Sequence, residues 1–291
     1  MLALLLLLAG SPSLLPAATE PVVELAAARA RIPFSQVDRR ISIAATLNGQ
    51  GPFHFILDTG ASGQGRVDLE IARRLGLKSV GRVIADDGTG LNAKVREEVR
   101  IDRLELPGAV FENLTFTASD YSWIHHGTER RVDGILGFGL FEDLLLTIDY
   151  PEYTVELSRE SLSARDEHVT RYNPSHGICM AKATLGKHAV EVNIDTGSSA
   201  GLTLPESYTE KLRLRGKPRL TARGRRANNA FDVYSAKLED DLLLAGHRLK
   251  GLEAGFVDIA PRLNIGYGIL RHYVLSFDQR RRLVRIAPAS R

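Results

Sequence analysis

The tripeptide Asp-Thr-Gly occurs twice in this 291-residue chain, as Asp58-Thr59-Gly60 and as Asp195-Thr196-Gly197. Each copy closes an apolar run, Phe53 to Leu57 in the first case and Val190 to Ile194 in the second. Small residues follow both: Ala61-Ser62-Gly63 and Ser198-Ser199-Ala200. A carboxylate at the end of a half-buried strand, held by a tight turn, costs free energy, and two brought together cost more. Building this arrangement twice predicts that the two carboxylates meet.

The tripeptides are landmarks in a longer internal duplication. Ile135-Leu136-Gly137-Phe138-Gly139-Leu140 matches Asn264-Ile265-Gly266-Tyr267-Gly268-Ile269, and the interval from Gly137 to Asp149 equals that from Gly266 to Asp278. Leu146-Thr147-Ile148-Asp149 then matches Leu275-Ser276-Phe277-Asp278. Both halves finish in an alternating run, Thr154 to Leu157 and Leu283 to Ile286. The local patterns are mostly strand. Ile41 to Leu47 alternates and runs into the turn signal Asn48-Gly49-Gln50-Gly51, and Ala181 to Leu185 followed by Gly186-Lys187 predicts the same hairpin in the second half. Each half also carries a short helix signal, Leu69 to Leu75 closed by Gly76 and Pro205 to Leu214 closed by Gly216.

These landmarks divide the chain into a first lobe over 41–158, a linker over 159–168 and a second lobe over 169–291. Residues 1–18 read as a secretory signal peptide, with the leucine-rich run from Leu2 followed by small residues up to Ala18. Residues 19–40, rich in Ala and Arg, read as an N-terminal extension or propeptide, helical or disordered. The chain is therefore expected to be exported, periplasmic or secreted, with no integral membrane span once the signal is removed. Cys179 is the only cysteine, so no intramolecular disulfide can form and the fold must rest on its core. The net charge of +3 comes without zinc spacing, an aromatic RNA-binding box or a basic helix, so no nucleic-acid partner is expected.

Two carboxylates at hydrogen-bonding distance share one proton, so that one acts as a base and the other as an acid. Water between them can then attack a carbonyl without a metal, a cofactor or a covalent intermediate. The serine, thiol and zinc hydrolase signatures are absent from the sequence. Gly60 and Gly197 would let backbone N–H groups approach the carboxylates, and the hydroxyls of Thr59 and Thr196 could brace the opposite half.

Asp-Thr-Gly-Ala/Ser followed later by two apolar residues and glycine resembles the aspartic proteases, and the short, similar halves resemble two retropepsin-type units fused in one chain. The second copy departs from the pattern at Asn264. The resemblance implies an all-β fold with a few short helices, built as two pseudo-symmetric, barrel-like lobes. It also implies an aspartic endopeptidase acting on a peptide or protein substrate, with Asp58 and Asp195 as the catalytic pair. Thr59, Gly60, Ala61, Thr196, Gly197 and Ser198 would support the catalytic loops. A β-hairpin flap is expected in each half, tipped by Asp86, Asp87 and Gly88 in the first and near Gly224 and Arg225 in the second. With both lobes in one chain, a monomer suffices. The competing reading is a peptide- or envelope-binding protein of the same fold that hydrolyses nothing.

Several finer expectations follow from individual residues. Ser198 stands where the first copy has Ala61, and its hydroxyl could donate to Asp195 and make it the more acidic member of the pair. The basic stretch from Lys211 to Arg226 faces an acidic first flap tip, which suggests attraction over the cleft or selection of acidic substrates; a solvated basic face is the plainer reading. The segment Thr117 to Arg131, with Trp123, His125 and His126, reads as an irregular insertion. Asp149 and Asp278 read as turn acceptors and not as a second acidic pair.

Overall fold

The computed structural model describes residues 20–85, 93–121, 131–225 and 230–289. The described chain is mostly β, with two short α-helices, Leu69–Arg74 and Tyr267–Leu270. None of its helices is long and apolar enough to cross a membrane. The signal-peptide expectation lies outside the described residues.

The duplication in the sequence is a duplication of strand register. In the first half Arg40–Leu47 pairs antiparallel with Gln50–Asp58 through a turn whose Asn48 and Gly49 both have positive φ. Gln50–Asp58 pairs parallel with Gly134–Gly137, setting Gly137 opposite Asp58. Gly65–Asp68 runs antiparallel to Gly134–Gly137 and parallel to Ala109–Ser119. In the second half Met180–Leu185 and His188–Ile194 form the hairpin, and Leu263–Ile265 pairs parallel with the latter. Leu202–Pro205 runs antiparallel to Leu263–Ile265 and parallel to Glu253–Val257. Within each half, side chains alternate between the core and the cleft, as the period of two requires. Thus Phe55, Leu57, Val192 and Ile194 are buried in the main core.

A shared antiparallel sheet joins the halves. Its centre is the pairing of Leu145–Asp149 with Tyr273–Asp278, in which Thr147 faces Ser276. These two are equivalent by the sequence repeat, so the pseudo-twofold axis passes between them, and Thr147 Oγ1 donates to Ser276 Oγ at 3.0 Å. Thr154–Ser158 and Arg29–Pro33 extend the sheet on one side, Leu283–Pro288 and Val169–Asn173 on the other. Apolar packing continues across the junction, where the Phe138 and Phe277 rings meet edge to face with centroids 5.5 Å apart.

Residues 22–37 are woven into these sheets. Val22–Leu25 pairs with Ala109–Ser119, Arg29–Pro33 with Thr154–Ser158, and Ser35–Val37 with Arg40–Leu47. The alternation Arg29-Ala30-Arg31-Ile32 buries Ala30 and Ile32 and exposes the arginines. The extension thus supplies the strand equivalent to Val169–Asn173 of the second half.

The first helix forms over Leu69–Arg74, where Asp68 caps it by accepting from Glu70 N at 2.9 Å and Gly76 follows with positive φ. The second helix signal is corrected. Leu202–Pro205 is strand, Glu206–Thr209 is a single 3₁₀ turn, and strand resumes at Leu214. Pro205 closes the strand without supporting a longer helix. The insertion is narrower than expected, since Thr117 to Ser119 complete a strand and Tyr121 is buried. Trp123, His125 and His126 lie outside the described residues. Asp149 and Asp278 accept from Glu152 N and Arg281 N, each three residues on, as the turn reading requires.

Candidate active site

Asp58 and Asp195 end equivalent strands and meet at the junction of the two halves. Their closeness is visible through the glycines that flank them. A Cβ at Gly60 would lie 2.6 Å from Asp195 Cγ, and one at Gly197 would lie 2.2 Å from Asp58 Cγ. No side chain fits at either position, so each loop needs glycine for the opposing carboxylate to approach. The same glycines serve their own loops: Gly60 N donates to Asp58 Oδ1 at 2.8 Å, and Gly197 N to Asp195 Oδ1 at 2.9 Å.

The threonines lock the loops together across the axis. Thr59 Oγ1 donates to Ile194 O at 2.6 Å and accepts from Thr196 N at 3.1 Å. Thr196 Oγ1 donates to Leu57 O at 2.8 Å and accepts from Thr59 N at 3.1 Å. Both threonines are fully buried, and each hydroxyl uses one proton and one lone pair on the other half. Losing either side chain would strand two buried backbone groups.

Behind each loop lies the apolar-apolar-glycine segment. Phe138 N donates to Ala61 O and Tyr267 N to Ser198 O, both at 2.9 Å. A Cβ at Gly137 would lie 2.5 Å from Gly63 O, and one at Gly266 would lie 2.6 Å from Ser198 O. Glycine is thus needed wherever one backbone runs directly behind another.

The junction is a costly place for a carboxylate charge. Burial, and after it the neighbouring Asp58 carboxylate, push Asp195 up to about 7, while the Asn264 side chain and the Gly197 N–H pull the other way. The Ser198 hydroxyl does not make the expected contact with Asp195. Its Oγ accepts from Ala200 N at 3.4 Å and packs against Gly266. The second-half side chain that holds Asp195 down is Asn264. The sequence marked Asn264 as a departure from pattern; its place near the carboxylate follows from register, since Asn264 pairs with Asn193 two residues before Asp195.

The pair opens into a cleft of about 1090 Å³ lined by both halves. Arg40, Arg66, Arg96 and Arg223 border it. Arg40 also crosses the junction, with Nε donating to Gly197 O at 2.7 Å and the guanidinium paired with Asp38. Nothing in the sequence singled out Arg40; it sits in an extension-to-strand turn far from either motif. Gly224 lines the cleft, where a Cβ would meet the Phe231 ring at 2.2 Å. Arg225 pairs through its backbone with Ala230 at the end of the Leu214–Arg225 hairpin. The first flap tip, with Asp86, Asp87 and Gly88, lies outside the described residues. The arms leading to it, Ser79–Ala85 and Lys94–Leu106, form an antiparallel ladder.

Residues 43–140 match the family model described as aspartyl protease. No curated protein matches the chain.

Proposed function

We propose an endopeptidase in which Asp58 and Asp195 share one proton, a reading supported by the match of residues 43–140 to the aspartyl protease family model. The observation that carries this is the mutual approach of the two carboxylates, each seated against the other loop's glycine. The ionised aspartate takes a proton from a water between the pair, and the water oxygen bonds to the peptide carbonyl carbon. The protonated aspartate hydrogen-bonds the carbonyl oxygen as negative charge grows there. A proton then passes to the amide nitrogen, the C–N bond breaks, and an acid and an amine leave. The backbone donors Gly60 N and Gly197 N hold each carboxylate in its loop, which limits the reorganisation needed during the reaction.

The buried threonine lock supports a single-chain, monomeric enzyme, because one chain supplies both aspartates and both braces. Export from the cytoplasm accords with the apolar N-terminus. The deciding assay incubates the protein, Asp58→Asn and Asp195→Asn with a diverse peptide library from about pH 3 to about pH 8. Cleavage by the parent and by neither variant is expected. Cleavage surviving both substitutions refutes the pair, and a folded parent that binds peptides without cutting them establishes the binding-protein reading.

A further inference from the structure

The cleft floor departs from symmetry at one register. In the first half Ile56 and Ile135 stand opposite each other on adjacent parallel strands. They join Val37 and Val132 in a small apolar cluster apart from the main core. At the matching register of the second half stand Asn193 and Asn264. All four line the cleft. The backbone is thus repeated while the two floors beside the aspartates differ, one apolar and one an amide pair.

The hydrogen bonds fix how the amides point. Asn264 Oδ1 accepts from Asn193 Nδ2 at 2.8 Å, which commits the Asn193 NH₂ group to its neighbour. Asn193 Oδ1 is left over. It is buried and, among the described residues, has no hydrogen-bond partner, in a residue only 4% exposed. The oxygen is covered in the free protein, so a ligand donor reaches it through a small shift of the Asn193 amide into the cleft that its residue lines; an unpaired buried acceptor costs about 1–3 kcal/mol, which that donor would offset.

We infer that Asn193 Oδ1 recognises an uncharged, hydrogen-bond-donating side chain (Ser, Thr, Asn or Gln) on one side of the scissile bond, while Ile56 and Ile135 seat an apolar side chain on the other. This rests on the cleft being a peptide site. A cationic donor is disfavoured because its charge would be desolvated beside Asn193. Asn264 acts as a positioning residue, orienting Asn193 through its amide oxygen.

Three peptides identical except for a central Leu-Gln, Gln-Leu or Leu-Leu pair test this, with the protein, Asn193→Val and Asn193→Ile/Asn264→Ile. Cleavage is read by mass spectrometry and binding by fluorescence anisotropy. The parent should favour one of the mixed peptides over Leu-Leu by roughly 5- to 20-fold. Asn193→Val should lose that preference, and the double variant, whose second floor copies the first, should favour Leu-Leu. Equal use of all three peptides by the parent, or a full preference retained in Asn193→Val, would overturn the inference. If the folded parent cuts none of them, the proteolytic reading fails, and the anisotropy preferences still decide the role of Asn193. Should the double variant not fold, the parent and Asn193→Val suffice.

Discussion

The two halves of the molecule are most alike where backbone touches backbone and least alike where side chains face the cleft. Gly60 and Gly197, Thr59 and Thr196, and Gly137 and Gly266 occupy matching positions and make matching contacts. Ile56 and Ile135 against Asn193 and Asn264 do not. The flanks differ too. The first half runs Lys94–Leu106 and Ala109–Ser119 as long unbroken strands, whereas the second interrupts the same path into Ala230–Leu238, Leu242–Leu244, His247–Leu249 and Glu253–Val257. Steric exclusion allows few substitutions at a glycine that faces a carboxylate. A side chain facing a cleft is constrained only by what the cleft must hold, so duplicated halves are free to diverge there.

The sharpest way to break the symmetric part is at the aspartates. Asp58→Asn and Asp195→Asn should each lower kcat/KM on a cleaved peptide by roughly 10³-fold or more, since both members of a shared-proton pair act in one step. A variant retaining near-parent activity would show that the halves are not equivalent in catalysis. The next effect is on stability. Thr59→Ala and Thr196→Ala each leave two buried backbone groups unpaired, and should each cost about 2–4 kcal/mol in denaturant unfolding. The two losses should be similar; a large loss in one alone would mean that the lock is one-sided.

Ile32 sharpens the comparison at the shared sheet. Fully buried in Arg29–Pro33, it should cost about 2–4 kcal/mol on replacement by Ala. A detachable leader would show no cost. The smallest expected effect probes the divergent part. Asn264→Ile removes a polar group that favours ionised Asp195, so the basic limb of the pH–rate profile should rise by about half a pH unit to one unit. Because the pair titrates together, the shift is read on the macroscopic profile.

Sequence and structure agree most closely where a residue type is forced by sterics. The doubled Asp-Thr-Gly, the apolar-apolar-glycine segments and their spacing are readable because almost nothing else fits those positions. The turn roles of Asp149 and Asp278 were readable for a similar reason, a carboxylate three residues before a backbone donor. Side-chain direction was harder. Ser198 can rotate to either of two acceptor or donor sites, and it serves Ala200 and not Asp195. Asn193 lies in a run that reads as apolar, and only strand alternation and register bring it beside Asn264. The strand Arg29–Pro33 showed its period of two in the alternation of Arg with Ala and Ile, but four residues of alternation in an Ala-rich segment do not separate strand from helix. Its partner, Thr154–Ser158, lies more than a hundred residues away, and that contact makes it a strand.

Stability should depend on pH as activity does. Asp195 is raised when folded, so the folded state holds a proton that the unfolded chain releases near pH 4. Its contribution to stability is fully present below that unfolded value and is lost as pH rises through about 7. Both effects come from one cause, two carboxylates brought together in a partly dry junction. The most direct measurement of that cause is a ¹³C NMR titration of the carboxyl carbons of Asp58 and Asp195, assigned through the Asp→Asn variants. One proton should remain on the pair at mildly acidic pH and leave near pH 7. Ionisation of both carboxyls in the ordinary range near pH 4 would contradict a shared proton and the mechanism built on it.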